Sequence, residues 1–236
     1  MPTHAVVSPT EWLSARKALM EKEKAFTRAR DQLAAERRAL PWVKVEQTYV
    51  FDSNGGKQSL ADAFGTRSQL IVFHFMFNPE WTAGCKSCSF WADNFAPIIV
   101  HLNQRDVSMV AISRAPLDKL NAFKRRMGWD FEWLSSAGNE FNRDFGVSFT
   151  ADDLKMDANN YNFGTQKFNG GDAPGLSVFC KDADGAIYRT YSCYARGLDM
   201  LNATYHYLDI TPKGRDEDAL SYPMAWVKLH DEYARQ

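Results

Sequence analysis

No stretch of this chain approaches the about 18 consecutive apolar residues that a membrane-spanning helix needs. The longest apolar neighbourhoods are residues 70–77 and 96–102, so no membrane partner is expected. The opening Met1-Pro2-Thr3-His4-Ala5-Val6-Val7 lacks the basic segment and apolar run of a secretory signal, which points to the cytoplasm. An excess of either charge is also missing. With 28 Lys plus Arg against 29 Asp plus Glu, no sequence-wide basic field exists to hold a phosphate backbone, and nucleic acid is not an expected partner. Internal repeats and low-complexity tracts are absent too. The 45% hydrophobic and 14% aromatic content excludes disorder as the main description and suits one sizeable core. Cysteine is scarce: Cys85, Cys88, Cys180 and Cys193. In a reducing compartment a close pair of cysteines points to catalysis or metal binding rather than a permanent staple.

Residues 8–40 contain no glycine and only Pro9 near their start, while Trp12, Leu19, Phe26, Leu33 and Leu40 recur at every seventh position. That spacing predicts a long helical arm with one apolar stripe. A coiled coil would need a second apolar position, and Ala15, Lys22, Ala29 and Glu36 do not supply it. The stripe serves either packing along its own domain or a homodimer contact through this N-terminal helix. The chain therefore divides into an arm, 1–40, and a domain, 41–236, with a C-terminal tail from 211.

Within the domain, 43–51 reads as extended before the turn signal Asp52-Ser53-Asn54-Gly55-Gly56, giving an opening hairpin. A short helical segment near 60–64 follows. Residues 70–77 are apolar on both faces, as a central strand is. A helix is expected from Cys85 to about Ile99, a strand over 107–113, a helix over 117–127, a short strand at 131–134 and a helical turn at 139–145. A hairpin over 176–191 turns at Asp184-Gly185, and 198–207 closes the domain as a helix. Strand alternating with helix is the pattern of a partly parallel sheet, so the fold class is α/β, a central mixed β-sheet flanked by helices.

Cys85-Lys86-Ser87-Cys88 is a C-x-x-C at the junction of a central strand and a helix, which is far more specific than the four letters alone. A helix start offers unpaired N–H groups that favour thiolate over thiol, and such settings bring a cysteine from a pKa of about 8.5 to roughly 3.5–7.5. Cys85 is the expected nucleophile. Cys88, one turn deeper on nearly the same face, is the expected resolving thiol. Lys86 adds positive charge beside Cys85.

Other readings of the pair stay open. Two packing cysteines are one, and metal ligation is another, although a structural zinc needs four ligands and no second C-x-x-C or H-x3-H exists. His74, inside an apolar strand, reads as a core histidine or as a proton shuttle beneath Cys88. For Cys180 and Cys193, a turn at Asp184-Gly185 sets Lys181 opposite Tyr188 and Cys180 opposite Arg189. Cys193 then lies about 13 Å beyond a bridging position, so the two are not expected to form a disulfide.

Several segments resemble the thioredoxin-like superfamily, especially its peroxiredoxin-like branch: Tyr49-Val50-Phe51-Asp52 with Gly55-Gly56-Lys57, Phe145-Gly146-Val147, and Phe179-Cys180-Lys181-Asp182-Ala183-Asp184-Gly185. More closely, His74-Phe75-Met76-Phe77, the Gly84 to Asp93 stretch around the cysteine pair, Ser113-Arg114-Ala115-Pro116 and Tyr194-Ala195-Arg196-Gly197 are similar to an uncharacterised bacterial family of predicted dithiol-disulfide oxidoreductases. The resemblance covers nearly the whole chain and implies a thioredoxin-like fold with thiol redox chemistry. It also implies a substrate-binding proline in the cis state before a strand, for which Pro174 is the match. Trp81, four residues before Cys85, would wall the site, and Thr82 occupies the offset of the threonine that peroxiredoxins carry before their reactive cysteine. The later peroxiredoxin arginine has no clear counterpart, with Arg114, Arg189 and Arg196 as candidates.

The expectation is thus a thiol-disulfide oxidoreductase that needs no bound cofactor and no metal, acting on a protein or small-molecule disulfide and reset by a cellular thiol reductant. A thiol peroxidase reducing a hydroperoxide is the second enzymatic reading. A redox-inert interaction or metal-binding module on the same fold is the third.

Overall fold

The computed structural model describes residues 4–156 and 159–234. The chain forms two compact units, Met1–Pro41 and Trp42–Gln236. The first is a single helix, α1 (Pro9–Arg38), started by a capping box in which the Ser8 side chain accepts from the Glu11 N–H and the Glu11 carboxylate accepts from the Ser8 N–H. Arg37 and Arg38 occupy its last turn, where cations suit the exposed carbonyls.

The second unit is built on an eight-stranded sheet. Its strands are β1 (Val43–Lys44), β2 (Val50–Ser53), β3 (Gly56–Ser59), β4 (Gln69–His74), β5 (Val107–Ser113) and β6 (Trp133–Ser135). After a separate two-stranded ribbon of β7 (Asn160–Tyr161) and β8 (Gln166–Lys167) come β9 (Gly175–Lys181) and β10 (Ile187–Tyr194). The order is β1-β10-β9-β4-β5-β6-β2-β3. β4, β5 and β6 run parallel, while β9 is antiparallel to both β4 and β10. Helices α2 (Lys86–Ala92) and α3 (Phe95–Asn103) carry the chain from β4 to β5, and α4 (Leu117–Arg126) carries it to β6. Two short helices, α5 (Phe141–Asp144) and α6 (Ala151–Lys155), precede the ribbon, and α7 (Ala203–Leu208) follows β10. A parallel βαβ unit joined to an antiparallel hairpin and a closing helix is the thioredoxin-like core that the sequence resemblance implied.

β4 is covered on both faces, which is why its sequence is continuously apolar. Leu70 and Val72 join a cluster with Phe51, Phe64, Phe141, Phe145 and Phe179. Phe73 points the other way, into a cluster with Phe75, Phe77, Trp91, Phe123, Trp133 and Cys88.

The structure departs from the sequence expectations in several places. The 43–51 strand is divided, because β1 pairs with β10 at one edge of the sheet while β2 pairs with β3 near the other. β4 ends at His74 rather than at Phe77: its partner β9 begins at Gly175, directly opposite His74, and beyond it Phe75 and Phe77 keep backbone bonds only on the other side, to Ile112 and Ala115. The helix from Cys85 is broken at Asp93-Asn94. Pro97, which cannot donate to a carbonyl one turn back, sits at the third position of α3, where no such bond is required. The closing helix is a 3-10 segment, Ala195–Leu201, followed by α7, whose start is capped by the Asn202 side chain accepting from the Tyr205 N–H at 3.0 Å.

The β9–β10 hairpin lies one residue away from the expected register, with Ile187 opposite Lys181 and Tyr188 opposite Cys180. Asp182 accepts from the Asp184 and Ala186 N–H groups and sets a longer turn than Asp-Gly alone would make. Cys193 stands opposite Leu176, at the far end from Cys180, so these two cysteines do not bridge each other.

Candidate active site

The chain leaves β4 through a loop and enters α2 with Cys85 at its N-cap position and Cys88 in the first turn. The Cys85 backbone N–H donates to the Met76 carbonyl at 3.0 Å, which fixes the turn beside the end of β4. Gly84 is required there. A Cβ at this position would lie 2.8 Å from a Phe75 ring carbon and 2.8 Å from a Phe123 ring carbon.

Cys85 is half-buried and Cys88 is buried; both are thiols and they are not joined as a disulfide. Their chemistry is unequal. A hydrogen bond from the Cys88 side chain is the largest influence bringing the Cys85 thiol down to about 7, working against burial and aided by the Cys88 and Ser87 N–H groups and the Ser87 side chain. Burial pushes Cys88 well above the ordinary thiol range, reinforced by its bond to Cys85 and by the Cys85 charge. The Met76 N–H donates to Cys88 Sγ at 3.4 Å and opposes this in part. One sulfur therefore ionises near neutral pH, and the other is held protonated against it.

A cavity of about 590 Å³ lies beside Cys88, while Cys85 is not among the residues that line it. Cys88, Ser87 and Met76 line it together with Phe73, Trp91 and Leu198. The segment read as a tail contributes Tyr222, Pro223 and Met224. Glu217 anchors that segment, accepting from the Tyr205 hydroxyl at 2.7 Å, the Trp226 indole N–H at 2.6 Å and the Met224 N–H at 3.0 Å. Burial would raise this carboxyl, but the donors outweigh burial and keep it below its usual range. Arg215 is clamped between Asp209, at 2.7 and 2.8 Å, and Asp199, at 3.0 Å, and lies 3.9 Å over the Tyr205 ring.

The sequence-predicted residues fare differently. Cys85 and Cys88 are brought together. Pro174 lines the cavity, but no peptide bond among the described residues is cis. The Ala173–Pro174 bond is in the trans state that X–Pro bonds ordinarily favour, which corrects the cis expectation. Lys86 does not lend its charge to Cys85: its Nζ donates to the Ala225 carbonyl at 3.1 Å and sits 5.9 Å from the Tyr222 ring. Trp81 and Thr82 are exposed and are not among the residues lining the cavity.

His74 is corrected as a proton shuttle by the alternation of β4. Its ring faces the cluster opposite Cys88, 5.5 Å from Phe141 and 5.7 Å from Phe145. Nε2 is 2.9 Å from the Ser177 hydroxyl, Nδ1 is buried without a hydrogen bond, and burial lowers its pKa to about 3. It is a neutral core histidine.

Sequence reasoning missed the contribution of the C-terminal segment. The aromatic and apolar density of Tyr222-Pro223-Met224-Ala225-Trp226 was the available signal, since a solvated tail carries few such residues. It also left Arg114 undecided and passed over Asp172, and the structure sets Arg114 Nε 2.6 Å from Asp172 Oδ1. Asp172 is buried, its other oxygen has no hydrogen bond, and its charge helps to raise Cys88. Arg189 lies 5.5 Å from the Phe145 ring, and Arg196 is exposed and pairs with Asp199. No group of three or more His, Cys, Asp or Glu among the described residues could hold a metal ion, and no helix among them is long and apolar enough to cross a membrane.

Residues 1–233 match the family model described as "Bacterial protein of unknown function (DUF899)", and the chain belongs to that family. No curated protein matches it. Among solved structures it is similar to peroxidoxin BcpB from Mycobacterium tuberculosis, at 16% identity and a TM-score of 0.46, covering 69% of this chain and 94% of that one. It is also similar to peroxiredoxin Q from Xanthomonas campestris, at 15% identity and a TM-score of 0.42, covering 66% and 87%. A third similarity is to a candidate thiol:disulfide interchange protein DsbE from Chlorobium tepidum, at 12% identity and a TM-score of 0.39, covering 66% and 86%.

Proposed function

We propose that this member of the bacterial family is a thiol-disulfide oxidoreductase in which Cys85 attacks and Cys88 resolves. The observation that carries the proposal is the inequality of the two sulfurs: a half-buried thiol brought down to about 7 in hydrogen-bond contact with a buried thiol held protonated. The Cys85 thiolate attacks one sulfur of a substrate disulfide, forms a mixed disulfide and expels the first thiolate. With Cys85 no longer charged, one of the influences raising Cys88 disappears. Cys88 then gives up its proton and attacks Cys85 Sγ, expelling the second thiolate and leaving a Cys85–Cys88 disulfide.

Two electrons pass from the protein dithiol to the substrate. The two departing thiolates take up one proton from Cys88 and one from solvent. A cellular thiol reductant returns the pair to its starting state, and no bound cofactor takes part.

The disulfide reading is better supported than the hydroperoxide one. A peroxidase needs donors aimed at the peroxide oxygens, and neither Thr82 nor Arg114 lines the cavity beside Cys88, while Arg114 Nε is bonded to Asp172.

The test is a pair of single variants assayed with a dithiol reductant and a model disulfide. Cys85→Ser should abolish turnover, and Cys88→Ser should accumulate a covalent adduct on Cys85 that intact-mass measurement detects. Full activity in either variant would refute the scheme.

A further inference from the structure

Resting on that reading, we propose that the substrate is a small uncharged disulfide whose apolar substituent occupies the cavity beside Cys88. The cavity, about 590 Å³, falls within the about 300–1,000 Å³ of small-molecule sites. Its apolar lining includes Met76, Phe73, Trp91, Leu198 and Phe168, with Met224 from the C-terminal segment.

Each charged group that borders it already has partners. Arg215 holds Asp199 and Asp209, Glu217 holds three donors, and Arg196 pairs with Asp199 while its side chain is 78% exposed. A carboxylate or ammonium entering the cavity would lose its water against a lining whose two arginines, Arg196 and Arg215, and two carboxylates, Asp199 and Glu217, balance in charge and already hold partners, a cost that grows steeply in an apolar environment. An alkyl or aryl group loses nothing comparable and gains burial. Peptide-derived disulfides bearing terminal charges are therefore disfavoured, and uncharged dialkyl or aryl disulfides fit.

The chemistry is that of the preceding subsection. R–S–S–R and the protein dithiol give two R–SH and the Cys85–Cys88 disulfide, and an external dithiol resets the protein. The apolar R group seated against Cys88 brings the substrate sulfurs to the neighbouring Cys85 thiolate, with which Cys88 is hydrogen-bonded.

The test uses two disulfides that differ only in methyl against hydroxyl at their ends, dipropyl disulfide and bis(2-hydroxyethyl) disulfide. Second-order rate constants of the pre-reduced protein with each are divided by those of free dithiothreitol, which removes intrinsic reactivity. The expected result is at least about a tenfold preference for the dipropyl compound, the size set by burying an unpaired hydroxyl. Met224→Asn, which replaces an apolar wall by an amide at a position with φ of 69° that asparagine tolerates, should reduce that preference by several-fold.

Binding is read separately. Dipropyl sulfide, which has no bond to reduce, should shift the Met76 and Met224 methyl resonances saturably in the Cys85→Ser protein. A normalised preference below about twofold overturns the substrate assignment while leaving the oxidoreductase reading intact. Reduction of neither disulfide, with the sulfide still bound, overturns the oxidoreductase reading and the assignment with it.

Discussion

Replacing Cys88 by alanine isolates the influence that activates Cys85. The Cys85 thiol moves from an ordinary 9.0 to about 7, and the hydrogen bond from Cys88 is the largest cause. At neutral pH this raises the thiolate from roughly 1% to about half of the molecules, since each pKa unit corresponds to ~1.4 kcal/mol. In Cys88→Ala the backbone N–H groups and the Ser87 side chain remain and burial still opposes them, so the midpoint should climb by about one unit or more. The thiolate population at neutral pH then falls about fivefold. Intrinsic nucleophilicity rises as the pKa rises, with a Brønsted coefficient of about 0.4–0.5, and returns a factor of roughly 3 per unit. The neutral-pH rate should therefore drop only about twofold.

The decisive quantity is consequently the midpoint of the pH profile. The assay is alkylation by iodoacetamide across the titration range, read peptide by peptide by mass spectrometry so that Cys180 and Cys193 do not contribute. The parent rate should pass its midpoint near 7 and level off about one pH unit higher. A parent midpoint near the ordinary thiol value, or one unmoved by Cys88→Ala, would refute the reasoning.

Two other substitutions test the surroundings. Burial holds His74 neutral down to about 3 against an ordinary 6.5, so below 6.5 the unfolded chain takes up a proton that the folded one refuses. The stability is complete above 6.5 and is lost as pH falls from there towards 3, at up to about 1.4 kcal/mol per unit. His74→Leu should flatten that acid-side decline in thermal denaturation and leave disulfide exchange unchanged; an equally steep decline would show that another group causes it. Gly84→Ala drives a Cβ against the Phe75 and Phe123 rings, which should cost about 1–3 kcal/mol in denaturant unfolding and disturb Cys85 trapping. A variant as stable and as reactive as the parent would mean that the rings yield freely.

The legible features were the local ones. β4 could be read because both of its faces are covered, and the cysteine pair because strand, loop and helix start are consecutive in the chain. The side on which His74 lies follows from parity with Leu70 and Val72, but which side carries α2 is decided by the crossover and is written in no single segment. The break before α3 had a local sign in Pro97. The cavity was beyond local reading, because its wall joins β4 and α2 to residues more than a hundred positions later. The register of the β9–β10 hairpin turned on one carboxylate, Asp182, competing with the Asp-Gly signal.

Every strand of the sheet is complete before the chain reaches Arg215, yet Glu217 and Trp226 help to shape the chamber next to the thiols. Part of the chamber wall and the cysteine turn are thus carried by different stretches of the chain. A chimera carrying another family member's residues 211–226 should keep the cysteine turn and change the chamber wall at positions 215, 217, 222, 223 and 224.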